Sequence, residues 1–224
     1  MAVPSSPFLV AHGAGNDVGS LRRAEALGVP WVEADVRLYK KRLEVRHLKT
    51  VGPLPILWDR WRLASPFGPR LLVPQLLDAL GPDTELMLDL KGRAERTAAL
   101  VVSELTTRPR CARITVCARN WQLLEPFSRL PDVTVVYSIG SVRQLQRFLR
   151  RFAGKRLEGV SVHRRLLDRK VVGELAARAE IILSWPVNTL ELAETLVDWG
   201  VQGLISDVPE VVGPFVACRT GATG

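Results

Sequence analysis

The sequence predicts an α/β protein, a closed barrel of eight parallel strands with a helix after each strand. Three observations predict it. Eight short apolar runs recur along the 224 residues, each followed by a helical pattern. Runs such as Leu86-Met87-Leu88 and Val133-Thr134-Val135-Val136 are almost continuously apolar or β-branched, as strands covered on both faces are. The average, 224/8, is 28 residues per unit, so residues 1–224 read as one domain with little room for a second. Eight such units point to a (β/α)8, or TIM, barrel rather than an open sheet.

In chain order, Phe8–Ala11 is the first run, with a helical pattern over 17–27, and Trp31–Val36 is the second. An extra extended piece, Leu43-Glu44-Val45-Arg46-His47, follows, then an excursion through Pro53, Pro55, Trp58, Trp61, Pro66 and Pro69. A loop this long in a small domain is usually functional. Helix 73–80 comes next, then Glu85–Leu90 with helix 94–106, and Ile114–Cys117 with helix 120–130. Val133–Tyr137 precedes helix 142–153, where Ser141 and Gln144 read as a capping box. Gly159–Val162 precedes helix 166–179. Ile181–Trp185 precedes helix 189–199, with Asn188 and Glu191 resembling a capping box and Gly200 marking the end. Gly203–Ser206 and helix 209–217 complete the eight units.

Composition excludes several classes. Apolar residues make up 47% and charged residues 24%, far from disorder. Cys111, Cys117 and Cys218 are odd in number and lack CxxC spacing, which argues against a disulfide framework or a structural zinc site. No apolar run approaches the roughly 20 residues of a transmembrane segment. The N-terminus lacks a signal peptide's cationic region. A soluble, reduced, cytoplasmic protein is expected. The net charge of +8, from 31 Lys+Arg against 23 Asp+Glu, favours anionic partners. Gly13-Ala14-Gly15 lacks the Lys-Ser/Thr of a phosphate loop. Arg143–Arg151 is a basic amphipathic helix that reads as barrel wall, allowing at most weak membrane-surface contact and implying no nucleic-acid partner.

In such barrels the chemistry sits at the C-terminal strand ends. The polar residues predicted there include His12, Glu33, Asp35, Arg37, His47, Asp89, Lys91, Arg119, His163, Trp185 and Asp207. Strand alternation puts Glu33, Asp35 and Arg37 on one face and Asp89 and Lys91 on one face of the neighbouring strand. Glu33, Asp35 and Asp89 form an all-oxygen cluster that suits one hard divalent cation, Mg2+ or Ca2+. The same carboxylates could instead pair with Arg37 and Lys91 in a salt-bridge ring. All three histidines of the chain fall at predicted strand ends. Two imidazoles beside a metal can serve as base and acid. His163, which opens a basic loop, reads as structural. Cys117 lacks a partner for nucleophilic work and reads as packing. Trp58, Trp61 and Phe67 read as a lip for lipid or as a barrel cover.

With these residues in view, the sequence resembles the glycerophosphodiester phosphodiesterase family. The resemblance lies in Ala11-His12-Gly13, Val32-Glu33-Ala34-Asp35-Val36, Val45-Arg46-His47, Leu88-Asp89-Leu90-Lys91, Trp185-Pro186-Val187-Asn188 and the run Gly200 to Pro209, in register over almost the whole chain. It implies a (β/α)8 barrel that hydrolyses glycerophosphodiesters to glycerol phosphate and an alcohol with a divalent cation. It further implies Glu33, Asp35 and Asp89 as metal ligands, His12 and His47 as the acid–base pair, Lys91 as a phosphate contact and Trp185 as substrate wall. The family is thought to use attack by a neighbouring substrate hydroxyl, giving a cyclic phosphate.

The sequence departs from the family pattern at three places. Gly13 stands where the family usually has Arg, Leu48 where it often has Asp, and Asp89 where it often has Glu. Arg37, Lys49 or Arg119 are candidates to replace the missing phosphate clamp. The short 48–72 loop leaves an open mouth that suits a bulkier diester. Two alternatives therefore stand beside the leading one: phospholipase-D-type action on lysophospholipids, and a catalytically inactive anion-binding barrel. Oligomeric state is not legible in the sequence.

Overall fold

A computed structural model describes residues 6–50, 57–59, 62–64, 70–108 and 113–221, with side chains at 49–50, 57–59 and 62–64 excepted. Eight parallel strands close on themselves. They are β1 (Phe8–Ala11), β2 (Trp31–Tyr39), β7 (Glu85–Leu90), β8 (Ile114–Ala118), β9 (Val133–Ile139), β10 (Leu157–His163), β11 (Ala179–Trp185) and β12 (Gly203–Ser206). Each pairs with its neighbours in the order just given, and β1 pairs with both β12 and β2 to shut the ring. The outer helices are α1 (Val18–Ala26), α2 (Val73–Ala79), α3 (Glu95–Thr107), α4 (Val142–Arg151), α5 (Arg169–Ala176), α6 (Leu190–Trp199) and α7 (Pro209–Gly221). The (β/α)8 architecture expected from the sequence is therefore the observed one.

The core has two compartments. Strand side chains such as Leu9, Val32 and Leu88 form one cluster with helix side chains such as Leu145, Phe148 and Leu196. Inside the barrel Phe8, Val10, Trp31, Met87, Cys117, Val136, Ile181, Leu183 and Ile205 form a separate cluster. Phe8 and Trp31 sit at the starts of their strands with ring centroids 4.5 Å apart. The interior is thus apolar toward its N-terminal end, and the polar strand-end residues are left at the other.

The extra extended piece is β3 (Arg42–Val45), antiparallel to β2 through the pairs Val36↔Val45 and Leu38↔Leu43. Lys40 and Lys41 make the two-residue turn, both at positive φ, as a right-twisted hairpin requires. β2 therefore runs beyond the barrel rim and folds back. The Arg46 N–H donates to the Asp35 carbonyl at 2.8 Å, which returns His47 to the barrel mouth. Beyond it, β4 (Lys49–Thr50), β5 (Leu57–Asp59) and β6 (Arg62–Ala64) form a small antiparallel sheet. The lip expected from Trp58, Trp61 and Phe67 falls outside the described residues and side chains, as do Pro53, Pro55, Pro66, Pro69, Cys111 and the side chain of Lys49.

Three local readings are corrected. The helix expected over 120–130 is a 3-10 segment, Trp121–Arg129. Pro126 lies within it and offers no N–H to an i−4 carbonyl, which disfavours a regular α-helix there. The helix expected from 166 starts at Arg169, because the Asp168 carboxylate accepts from the Val171 N–H at 2.7 Å and caps it. The cap of α6 is Thr189, not Asn188. The Ser141 box is half formed: its hydroxyl accepts from the Gln144 N–H, while Gln144 Oε1 accepts from Gly140.

Candidate active site

Each candidate residue reaches the barrel mouth through its strand. Asp35 and Asp89 are directly paired in the β2–β7 register. Glu33 lies two residues earlier on the same face of β2, and Lys91 follows β7. One ligand oxygen from each of Glu33, Asp35 and Asp89 lies within 4.8 Å of the others. Glu33 and Asp35 are buried. The Lys91 ammonium pairs with Asp35 Oδ1 at 2.7 Å and with Asp89 Oδ2. The cation cluster and the salt-bridge ring weighed from the sequence are thus both partly built.

The electrostatics follow from this crowding. Burial, then the charge of Asp35, raises the Glu33 pKa to about 7, against the opposing pull of His12 and Lys91. Burial would raise Asp35 too, but hydrogen bonding to His47 and the charge of Lys91 hold it well below the usual carboxylate range. Burial alone would lower Lys91; Asp89, Asp35 and Glu33 raise it above its ordinary value. Asp89 Oδ1 is buried without a hydrogen-bond partner among the described residues. A buried carboxylate oxygen without a hydrogen-bond partner beside two further carboxylates is a donor set that a hard cation would complete. The all-oxygen donor set of Glu33, Asp35 and Asp89 could hold a hard divalent cation.

Two histidines face this cluster. His12 follows β1; its Nδ1 is 2.5 Å from Asp207 Oδ1 and its Nε2 is 3.8 Å from Glu33 Oε2. Burial disfavours the imidazolium, but the Asp207 hydrogen bond and the charges of Glu33, Asp207 and Asp35 outweigh it and raise the pKa to about 9. Asp207 is itself held down to about 2, first by its bond to His12. Its Oδ2 accepts from Asn188 Nδ2 at 2.8 Å, and its N–H donates to Asn188 Oδ1 at 3.0 Å. Across the mouth, His47 Nδ1 is 3.0 Å from Asp35 Oδ2. Because Asp35 stays ionised, that contact is an N–H donated by His47 Nδ1.

Sequence reasoning placed Asp207 at a strand end without a role and passed over Asn16. Asn16 Nδ2 donates to Asp35 Oδ2 at 2.9 Å, and its Oδ1 accepts from the Asp35 N–H at 2.8 Å. Gly15 makes this approach feasible: a Cβ there would lie 2.8 Å from the Ala34 Cβ. Gly13 has φ +65 and donates its N–H to Glu33 Oε2 at 2.8 Å. The strand-end signal marked His12, but nothing local marks a partner 195 residues away.

The remaining candidates spread around the rim. A cavity of about 150 Å3 is lined by His12, Glu33, His47, Asp89, Lys91, Arg119 and Trp185 among others. Arg37 is outside that lining; it stands opposite Glu44 on the β2–β3 hairpin, past the last β2–β7 pair. His163 ends β10, accepts from the Arg165 N–H through Nδ1 and meets Trp185 edge-on at 4.8 Å. Burial and nearby arginines lower its pKa. Cys117 also lines the cavity, but burial pushes its thiol well up and keeps it a protonated packing group. A larger cavity, about 490 Å3, lies between the start of β1, the end of α1 and α7, far from these residues, with an apolar lining that includes Phe8, Val29 and Val216.

No known family model matches the sequence, and no curated protein matches it. Solved structures do match in three dimensions. A phosphodiesterase from Oleispira antarctica, in complex with the product sn-glycerol-3-phosphate, aligns with TM-score 0.73 and 18% identity over 96% of this chain and 97% of that one. A glycerophosphodiester phosphodiesterase from Parabacteroides distasonis aligns with TM-score 0.71 and 20% identity over 96% and 98%. Another from Thermotoga maritima aligns with TM-score 0.67 and 17% identity over 95% and 98%. The chain thus has the fold of these phosphodiesterases over 95–96% of its length. No helix among the described residues is long and apolar enough to cross a membrane.

Proposed function

We propose that the protein is a glycerophosphodiester phosphodiesterase, a phosphoric diester hydrolase that releases glycerol phosphate and an alcohol. One observation carries the reading: the carboxylate cluster with its unpartnered Asp89 oxygen lies beside two histidines, His12 and His47, each held through Nδ1 by a carboxylate. The likeness of the whole chain to phosphodiesterase structures, one holding glycerol phosphate, supports the same reading.

Glu33, Asp35 and Asp89 are the proposed holders of one Mg2+ or Ca2+, which when bound would neutralise charge on the phosphoryl oxygens. Lys91 contacts the same oxygens, and Arg119 takes the clamping place that Gly13 leaves vacant. His12 is the general acid: Asp207 fixes Nδ1, so Nε2–H points at the cavity and can protonate the leaving alkoxide. His47 is the general base: oriented by Asp35 through Nδ1, it takes at Nε2 the proton of the attacking substrate hydroxyl or water. Trp185 forms the wall.

The test is release of glycerol phosphate from glycerophosphocholine with Mg2+, Ca2+ or chelator. His12→Ala and His47→Ala are expected to lower turnover by about 10² or more, and His163→Ala to change it little. A parallel assay on lysophosphatidylcholine tests phospholipase-D-type action. No hydrolysis of either substrate with either cation would overturn the proposal and leave an anion-binding barrel.

A further inference from the structure

The described residues enclose about 150 Å3 at the barrel mouth, below the roughly 300–1,000 Å3 of pockets that bury a whole small ligand. A diester that places its phosphorus there must extend its alcohol past the rim. Beside the mouth lies a second cavity of about 230 Å3, lined by Arg119, Arg147 and Arg151 with amide side chains from Asn120, Gln122 and Gln144. Among the described residues no acidic one lines it. Arg119 lines both cavities.

Arg119 is preset for this position. Its guanidinium carbon lies 4.8 Å from the Trp185 ring centroid on one side. On the other, a Cβ on Gly140 would come within 3.0 Å of that carbon, so the absence of a side chain at Gly140 leaves its room. Gln144 braces the backbone: Nε2 donates to the Arg119 carbonyl at 3.2 Å while Oε1 accepts from the Gly140 N–H at 2.9 Å. Arg147 lies over Trp121 at 5.5 Å. Among the described residues neither Arg119 nor Arg147 forms an ion pair, and Arg151 has only an exposed 4.0 Å contact with Glu125. Guanidinium groups laid on aromatic faces keep their N–H edges for a ligand, and that fork geometry matches phosphate oxygens.

We propose that this cleft holds a phosphate monoester carried on the alcohol half of the substrate. The protein then selects glycerophosphodiesters whose alcohol is itself phosphorylated. The assignment rests on the hydrolase reading above and names its substrate class. A concave cleft joined to the catalytic mouth by one shared arginine suits a second group of the same small molecule better than it suits a flat membrane.

The test compares kcat/KM for glycerophosphoglycerol and for the same diester bearing a phosphate monoester on its distal glycerol. The parent is expected to prefer the phosphorylated diester by about tenfold or more, a preference that shrinks with added salt. Arg147→Gln with Arg151→Gln, both at exposed positions, should abolish the preference while leaving glycerophosphoglycerol turnover within about twofold of the parent. Equal preference in parent and variant, no preference in the parent, or equal loss on both substrates would overturn the cleft assignment alone. Loss of binding to phosphatidylglycerol vesicles without change in the substrate ratio would also overturn it, in favour of a membrane surface. Failure of the parent to hydrolyse either diester would overturn the hydrolase reading, and the substrate class with it.

Discussion

Asp207→Asn removes the anion beside His12 while keeping a side chain of the same shape, so it isolates what that charge does. Burial opposes the charge on His12, and the carboxylate, 2.5 Å from Nδ1, is the strongest of the groups that raise the imidazole to about 9. A hydrogen bond to a charged group contributes about 1.5–3 kcal/mol. At about 1.4 kcal/mol per pKa unit, losing it lowers the His12 pKa by roughly one to two units. The sign is fixed: an anion favours the imidazolium, so its removal must move the midpoint down. Asn188 still accepts from the backbone N–H of residue 207, which keeps the loop in place. The assay is a proton NMR titration of metal-free protein in chelator. It is tractable because the chain has only three histidines. The parent should show one resonance titrating near 9, assigned by its absence in His12→Gln. The Asp207→Asn variant should show it near 7–8, with His163 unmoved below its ordinary value. An unmoved His12 midpoint in Asp207→Asn would refute the assignment of Asp207 as the group that keeps the acid charged.

Three further outcomes are expected. Mg2+ or Ca2+ at one hundred times its Kd should stabilise the fold by about 2.7 kcal/mol, or roughly 5–10 °C in Tm, and Glu33→Gln with Asp35→Asn should erase that shift in scanning calorimetry. Glu85 is buried at the start of β7 with its pKa raised to about 6, by burial, against its bond to Thr115 and the charge of Arg113. Its neutral form is the favoured one in the fold, so stability is full below the unfolded value near 4.5 and is lost as pH rises through 6. Glu85→Gln should therefore stabilise the protein by on the order of 1–2 kcal/mol at pH 7.5 and by little at pH 4 in urea unfolding, and equal effects at both pH values would contradict this. Gly13→Arg puts a side chain at φ +65 with its Cβ 3.3 Å from Asn16 Nδ2. It should cost about 1–3 kcal/mol in urea unfolding and lower turnover by disturbing the Asn16 support of Asp35, and a gain in kcat/KM would show that the vacant arginine place limits the reaction.

Much of the fold was legible because barrel strands buried on both faces leave an unbroken apolar signature. Phe8–Ala11, Glu85–Leu90 and Gly203–Ser206 have the same ends in the sequence reading and in the structure. The helix starts read less well. Asp168 starts α5 three residues after the expected start, Thr189 rather than its neighbour Asn188 caps α6, and the expected helix around Pro126 is a 3-10 segment. In the site, alternation along β2 sufficed to put Glu33 and Asp35 on one face, and the neighbouring strand supplied Asp89.

What the sequence determined by itself was therefore the set of strands, their order around the ring and the polar residues at their ends. These follow from local periodicity, which needs no knowledge of distant partners. The tertiary structure decided which of those residues touch. His12 meets Asp207 only because ring closure sets Ala11 beside Ser206, and Asn16 reaches Asp35 only because Gly15 lies against Ala34. Arg119 was one strand-end arginine among several candidates until Trp185 and Gly140 closed on either side of it, while Arg37 was carried off the rim by the β2–β3 hairpin. Contacts of this kind depend on register and on the absence of a methyl group at one backbone position, quantities set by packing between elements far apart in the chain.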